Sequence, residues 1–460
     1  MGAIRLPLRA FRDAGIAALL AGLLGLPLIG VRLADEAGGE TLVTRWPDLL
    51  AGVALTFIGR LALALVDAVA DRLVVVAMAL FAAGAFFVPW PTQFLMVVAI
   101  GGGVAIALVA IRSWTGPRPV AVAAEALKPV GRYLPWLLIA FALALPMMPF
   151  ANRGVVDAGT LILTYVLLGW GLNIVTGLAG LLDLGYVAFL AIGAYTTAIL
   201  STRFGLTFWE CLPLAAIAAS SAGILLGFPV LRLRGDYFAI VTLGFGEIIR
   251  IVANNWRSLT NGSQGMGNLP RPSFFGLADF TASPAPGHTA FNAMFGIPFN
   301  GSHRLIFLYY VVLILALAVN LFTLRIRRLP LGRMWEALRE DEIAAQALGI
   351  DRRRIKLAAF AIGAAWGGIA GVVFDARQNF ITPESFGFIE SVMITAIVVL
   401  GGMGSQLGIV LAAVIVAGLP ELFRDLVDYR QLAFGAAMIA IMRFRPGGLI
   451  ANRRPTALLR

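Results

Sequence analysis

Glu247 and Arg250 stand three residues apart inside the apolar run GDYFAIVTLGFGEIIRIVANNW, residues 235–256. On a helix that spacing puts acid and base on one face, close enough to pair. An ion pair inside a membrane segment is a functional candidate by default, although a pair that only sets helix register has the same signature. A second polar set lies upstream. Asn173, Asp183, Tyr186, Tyr195, Thr196 and Thr197 are scattered through GWGLNIVTGLAGLLDLGYVAFLAIGAYTTAIL, residues 169–200, among six glycines. In water so many glycines oppose a helix, whereas in a bilayer small residues let helices approach closely and break. The polar groups then face a cavity, a partner helix or a solute path. Two readings fit, a close-packed seam and a pathway, and one segment can serve as both.

A third segment, GRMWEALREDEIAAQALGI at 332–350, joins a charged stretch (Glu336, Arg339, Glu340, Asp341, Glu342) to a short amphipathic helix. Ile343, Ala347 and Ile350 share one face at i, i+4, i+7 spacing, and Gly349 is a helix stop. So short a helix cannot cover its own apolar face, and either the bilayer surface or a protein partner must do so.

Bond-making chemistry finds little support. The one cysteine, Cys211, lies in an apolar block, which excludes a disulfide framework and a cysteine metal site. His288 and His303 sit in or beside one polar loop and read as solvated. No Gly-x-x-x-x-Gly-Lys-Ser/Thr phosphate loop occurs. A membrane-embedded enzyme would need a catalytic cluster, and none is present.

The elements that must position these groups follow from composition. Of 460 residues, 60% are hydrophobic and only 13% charged, and the mean hydropathy is +0.88. A soluble fold needs about 25% charged residues. The apolar residues come in blocks long enough to span a bilayer, at 14–33, 49–67, 72–90, 93–111, 133–150, 157–178, 181–201, 209–231, 237–256, 304–324, 355–375, 390–403, 407–425 and 430–444. The fold class is therefore an all-α polytopic membrane protein with 12 to 14 transmembrane helices, the shortest of them re-entrant or broken. Arg5, Arg9 and Arg12 precede the first apolar stretch, which reads better as an uncleaved first span than as a secretory leader.

The net charge of +11 is explained by position. Arg112, Arg118, Lys128 and Arg132, the Arg232/Arg234 turn, the basic stretch 325–354 and the tail with Arg443, Arg445, Arg453, Arg454 and Arg460 all fall on one side when the N-terminus is cytoplasmic. That is the positive-inside pattern. It suits contact with anionic lipid headgroups rather than with nucleic acid. The longest outside loop, 257–303, then holds only Arg257 and Arg271. Its segment RSLTNGSQGMGNLPRPSFFGL is either an ordered surface loop or a docking site for an external partner. The chain divides into an extension of four spans at 1–111, a basic linker at 112–132, a core at 133–450 and a tail at 451–460, with no convincing internal repeat.

Several of these segments in order, GLNIVTGLAGLLDLGYVAFLAIGAYTTA, LTNGSQGMGNLPRP, ALREDEIAAQALGI, VVLGGMGSQLG and RFRPGGL, resemble the permeases of high-affinity branched-chain amino acid ABC importers, in particular the M-type (LivM) subunits. The resemblance covers about 133–450. It implies an ABC importer permease fold without catalytic residues, in the bacterial inner membrane with both termini cytoplasmic. It implies an H-type permease partner, two ATPase subunits that hold the ATP and Mg, and a periplasmic substrate-binding protein. The ATPase contact would use Glu340, Asp341, Glu342, Ala344, Ala345 and Gly349, since the Glu-Ala-Ala…Gly coupling motif maps to Glu342, Ala344, Ala345 and Gly349 with Ile343 inserted. Asn173, Asp183, Tyr186, Tyr195, Thr196, Glu247 and Arg250 are the expected pathway residues. Asn261, Gly262, Gly265 and Gly267 are expected in the binding-protein docking loop. Leucine, isoleucine and valine are the expected substrates; permeases of the wider family carry urea, short amides or other amino acids. A secondary transporter coupled through Asp67, Asp183, Glu247 and Glu421 is the competing reading.

Overall fold

The computed structural model describes residues 31–36, 39–44, 133–149, 151–418 (apart from 232, 234, 268, 270, 282–288, 297 and 299) and 448–450, with isolated positions at 15, 53, 54 and 435. The linker at 112–132, the tail at 451–460, most of the extension and the last predicted span therefore lie outside the described residues, as do Asp67 and Glu421. The chain forms two compact units, Met1–Pro135 and Trp136–Arg460.

In the first unit, β1 (Val31–Glu36) pairs antiparallel with β2 (Gly39–Thr44), from Val31 opposite Thr44 to Glu36 opposite Gly39. The first predicted span extends to 33, so the strand takes its last three positions. There Val31 and Leu33 alternate with Arg32, a strand period rather than a helical one.

The second unit is helical. In chain order it comprises α1 (Tyr133–Met147, which enters the unit at Trp136), α2 (Arg153–Asn173), α3 (Val187–Phe204), α4 (Phe208–Val230), α5 (Asp236–Asn255), the single turn α6 (Arg257–Thr260), α7 (Phe291–Phe295), α8 (Ser302–Arg328), α9 (Pro330–Glu340), α10 (Glu342–Ala347), α11 (Arg352–Gln378), α12 (Phe388–Gly401) and α13 (Gln406–Ala413). Seven helical segments among the described residues are long and apolar enough to cross a membrane. They match predicted spans in position, with one informative shift. The span predicted to begin at 181 becomes helical only at Val187, because α2 ends in a π turn, Ile174–Leu178, and an irregular stretch follows. Gly180 there adopts φ +73°, a left-handed conformation that a side chain disfavours. A broken helix at this depth is tolerated only when buried in protein or lining a cavity, and Asn173, Thr176 and Asp183 are all buried.

Helix α11 is the axis of the unit, packed along α3 and α4 and against α2. Small residues make this possible. A Cβ on Gly193 of α3 would sit 2.2 Å from the Gly368 carbonyl of α11, and one on Gly368 would sit 2.5 Å from the Ala215 carbonyl of α4. This close-approach seam is what glycine provides in membrane helices.

The two ends of the bundle differ. At one, the loop end, the chain segment after α5 is joined to the segment after α11 by β3 (Met266–Gly267) paired with β6 (Phe380–Ile381). Beside it a short parallel pair, β4 (Ala278–Asp279) with β5 (Thr289–Ala290), closes a loop. At the other, the basic end, α9 and α10 pack beside the π turn of α2 and the start of α11. The backbone of Leu449 donates to the Leu400 carbonyl there at 2.8 Å.

Candidate functional site

The expected pathway residues divide into three groups. Glu247 and Arg250 do pair: Arg250 Nε donates to Glu247 Oε1 at 3.0 Å. A third residue joins them from across the bundle, since Arg250 Nη1 donates to Glu384 Oε1 at 2.9 Å. Glu384 sits in the turn Pro383–Phe386 that follows β6. Two carboxylates thus flank one guanidinium at the loop end. Glu247 also lines a cavity of about 240 Å³, walled by Leu184, Val187, Leu243, Phe386 and Phe388, with Ser391, whose hydroxyl donates to the Leu184 carbonyl. The walls are apolar and the charge is at one side. Its volume lies just below the few hundred cubic ångströms of drug-sized pockets, which suits an amino-acid-sized solute.

Asp183 and Tyr186 lie at the helix break near this cavity. Asp183 Oδ1 accepts from the Gly185 amide at 2.9 Å, while its other oxygen has no partner. The Tyr186 hydroxyl donates to the Gly363 carbonyl of α11 at 2.7 Å, tying the break to the central helix. Asn173 and Thr196 belong elsewhere. Asn173 Oδ1 accepts from the Gly404 amide at 2.8 Å at the basic end, and the Thr196 hydroxyl bonds the Ile192 carbonyl of its own helix. Tyr195 packs at a tilt of 56° against Phe386, with ring centroids 5.8 Å apart.

At the basic end α9 and α10 form a tight helical hairpin. Asp341 is the N-cap of α10: its carboxylate accepts from the amides of Ile343 at 2.8 Å and Ala344 at 3.0 Å, a cap of about 1 kcal/mol. Gly349 takes φ +85° past the helix end, and Ile350 donates back to the Ala345 carbonyl at 3.1 Å, the glycine-stop arrangement expected of that residue. Glu342 turns inward to Arg352 Nη1 at 2.7 Å and Lys356 Nζ at 2.9 Å. Burial works to raise its pKa, but the two cationic donors outweigh it and hold the carboxyl below its ordinary value. Ala345 is buried.

Of the expected ATPase-contact residues, Asp341, Glu342, Ala345 and Gly349 therefore build the hairpin, whereas Ala344 and Glu340 face outward. The apolar face also differs from the expected one. Ile350 is half-buried, and Leu348, 83% exposed, takes its place beside Ile343 (74%), Ala344 and Ala347. The cause is the chain reversal at Gly349, which ends the helical period before Ile350 is reached.

Arg339, at the end of α9, connects this hairpin to the broken helix. Its Nη1 donates to the Gly177 carbonyl in the π turn at 2.7 Å, and its Cγ lies 2.8 Å from where a Cβ of Gly180 would be. Arg339 and Glu340 line a second cavity of about 350 Å³ together with Thr176, Gly180, Leu182 and Met403. In the loop 257–277, Asn261 Nδ2 donates to the Gly265 carbonyl at 2.7 Å. Gly262 and Gly265 are buried, Gly267 half-buried and Asn261 exposed. Gly265, whose Cβ would meet the Ile381 carbonyl, and Gly267 of β3 serve the β3–β6 contact, whereas Gly262 packs against the Asn254 carbonyl.

Sequence reasoning missed Glu384, Arg339 as a link, and Asp375. Glu384 and Arg339 bond residues far away in the chain, which spacing cannot reveal. Asp375 had a signal, a carboxylate inside the apolar stretch GIAGVVFDARQ, masked by its nearness to Arg377 and the helix end.

The family described as "Branched-chain amino acid transport system / permease component" matches residues 154–442. The chain is 49% identical over 351 residues to the Escherichia coli "High-affinity branched-chain amino acid transport system permease protein LivM", covering 76% of this chain and 82% of that one. It is 27% identical to the Pseudomonas aeruginosa permease protein BraD, over 63% of this chain and 92% of BraD. It is 25% identical to Escherichia coli LivH, again over 63% of this chain and 92% of the relative. No solved structure matches the chain. With its permease-family match over 154–442 and its apolar helices long enough to span a bilayer, the chain is a polytopic membrane protein belonging to the branched-chain amino acid transport system permease family.

Proposed function

We propose that the chain is the M-type membrane subunit of an ATP-driven importer that passes leucine, isoleucine and valine across the bacterial inner membrane. It would work beside an H-type permease, receive substrate from a periplasmic binding protein at the loop end, and rest on two ATPase subunits at the basic end. The basic end is then cytoplasmic, as are both termini. ATP and Mg belong to the ATPases.

One observation carries this reading. Helix α10 is capped, stopped and clamped from within, yet presents Ile343, Ala344, Ala347 and Leu348 as an exposed face that none of the described residues covers. A rigid helix with an uncovered apolar face is built to seat in a groove of a partner. Through Arg339 its motion reaches Gly177, and through the broken helix it reaches the cavity beside Glu247. ATP-driven closure of the ATPases would move α9 and α10 as one body. The break at 174–186 would shift with them and open the apolar path inward. Apolar walls suit the aliphatic side chains of the substrates, and the Glu247–Arg250–Glu384 group at the loop end offers both signs of charge to a zwitterion.

Co-purification with candidate ATPases tests this. The wild-type chain should retain them, and Leu348→Asp should reduce retention at least about tenfold, as burying one charge in an apolar interface costs more than 1.4 kcal/mol. Equal retention by the variant would place the contact elsewhere.

A further inference from the structure

The break that follows α2 borders the second cavity, of about 350 Å³, at the basic end. Thr176, Gly180, Leu182, Arg339, Glu340 and Met403 line it. Its volume lies within the few hundred cubic ångströms usual for small-molecule sites. One polar group on its wall is unlike its neighbours. A threonine inside a helix can give its hydroxyl to the carbonyl four residues back. Thr160 does so to Val156 and Thr164 to Thr160, both at 2.8 Å. Thr176 sits in the π turn at 3% exposure, and its hydroxyl has no hydrogen-bond partner. A buried hydroxyl left unpaired destabilises the fold that holds it, and a ligand in the cavity would supply the missing bond.

The other walls carry complementary groups. A guanidinium has five N–H donors. Arg339 gives one to the Gly177 carbonyl at 2.7 Å and one to Glu340 Oε1 at 2.8 Å, which leaves three. Its stem is fixed against Gly180, where a Cβ would lie 2.8 Å from Arg339 Cγ and 3.3 Å from its Cβ. Glu340 keeps its second carboxylate oxygen for another donor. Leu182 and Met403 add part-exposed apolar surface. One space is thus bounded by a fixed cation, a buried hydroxyl, an acid and two apolar side chains. An aliphatic α-amino acid presents the matching set: a carboxylate, an ammonium group and an apolar side chain.

We propose that this cavity is a second binding site for the transported amino acid, an exit station between the loop-end cavity and the cytoplasm. The substrate carboxylate accepts from Arg339 and Thr176, the ammonium group donates to Glu340, and the aliphatic side chain lies on Leu182 and Met403. The inference rests on the reading of this chain as an amino acid permease whose basic end is cytoplasmic.

Photolabelling of the whole reconstituted complex with a diazirine analogue of leucine, followed by peptide mapping, tests it. Label should appear at Leu182, Met403 or their chain neighbours, and excess leucine should remove it. Thr176→Val keeps the shape of the side chain and deletes the hydroxyl. That hydroxyl bonds nothing in the protein, so the complex should assemble while labelling at this site falls severalfold. Thr176→Ser should retain the label, and Leu182→Trp, which fills the cavity, should abolish it. Label confined to the loop-end cavity, label at this site that excess leucine leaves in place, or undiminished labelling of Thr176→Val would overturn the exit site. Should Thr176→Val fail to assemble, Leu182→Trp decides, and undiminished labelling of it overturns the proposal equally. A wild-type complex that carries no branched-chain amino acid overturns the functional reading and the ligand assigned here; one that transports leucine but takes no label at this cavity overturns the exit site alone.

Discussion

The loop end and the basic end of the second unit are both irregular, yet they are held together differently. At the loop end, aromatic and charged side chains join the elements around the short β3–β6 pairing. Phe274 packs against Phe275, Phe291, Phe295 and Phe307, and Arg250 bridges to Glu384. At the basic end, backbone meets backbone or is gripped directly. A Cβ on Gly408 would lie 1.9 Å from the Gly401 carbonyl, the Gly404 amide is held by Asn173, and the Gly177 carbonyl by Arg339. Aromatic rings can shift by some tenths of an ångström without losing contact. Backbone contacts cannot, because interiors packed to this density transmit displacement rather than absorb it. The difference suits a loop end that adapts to an arriving partner and a basic end that passes on a movement.

Three substitutions separate the ends. The largest effect is expected for Gly408→Ala, whose Cβ meets immovable backbone. Overpacking of this kind costs about 1–3 kcal/mol or more, and the yield of folded protein in detergent should fall several-fold. Arg339→Ala comes next. It removes the link between α9 and the π turn but not the apolar face of α10. ATPase subunits should remain bound while ATP-dependent uptake drops at least about tenfold, the loss of one charged hydrogen bond. Uptake and association falling together would mean that Arg339 only stabilises the fold. The smallest effect is expected for Gly267→Ala at the loop end, where the new Cβ lies 3.3 Å from a half-exposed Phe380 ring that can yield. Yield and uptake should both stay within about twofold, the range of an ordinary surface change. A collapse there would erase the contrast between the ends.

Much of this was readable from residue types. Long apolar blocks identify the spans because hydrocarbon demands them. The glycines at 177–185 permit a broken helix, and Gly349 stops α10, because helix stops are local devices. What was not readable is long-range. No spacing rule brings Glu384 to Arg250 across 134 residues, or Arg339 to Gly177 across 162. Nor does hydropathy say which face of a uniformly apolar helix is covered, and so Asp375, buried in α11, went unnoticed beside Arg377. The rotation of the α10 face from Ile350 to Leu348 was likewise hidden, since the period was read through a glycine that reverses the chain.

The most direct measurement is uptake of labelled leucine into liposomes holding this chain, its H-type partner and the ATPases, supplied with loaded binding protein. Uptake that requires ATP hydrolysis, persists without any ion gradient and disappears when this chain is omitted is the predicted result. Uptake by the chain alone, driven by a proton or sodium gradient and indifferent to ATP, would contradict the account and make it a secondary transporter.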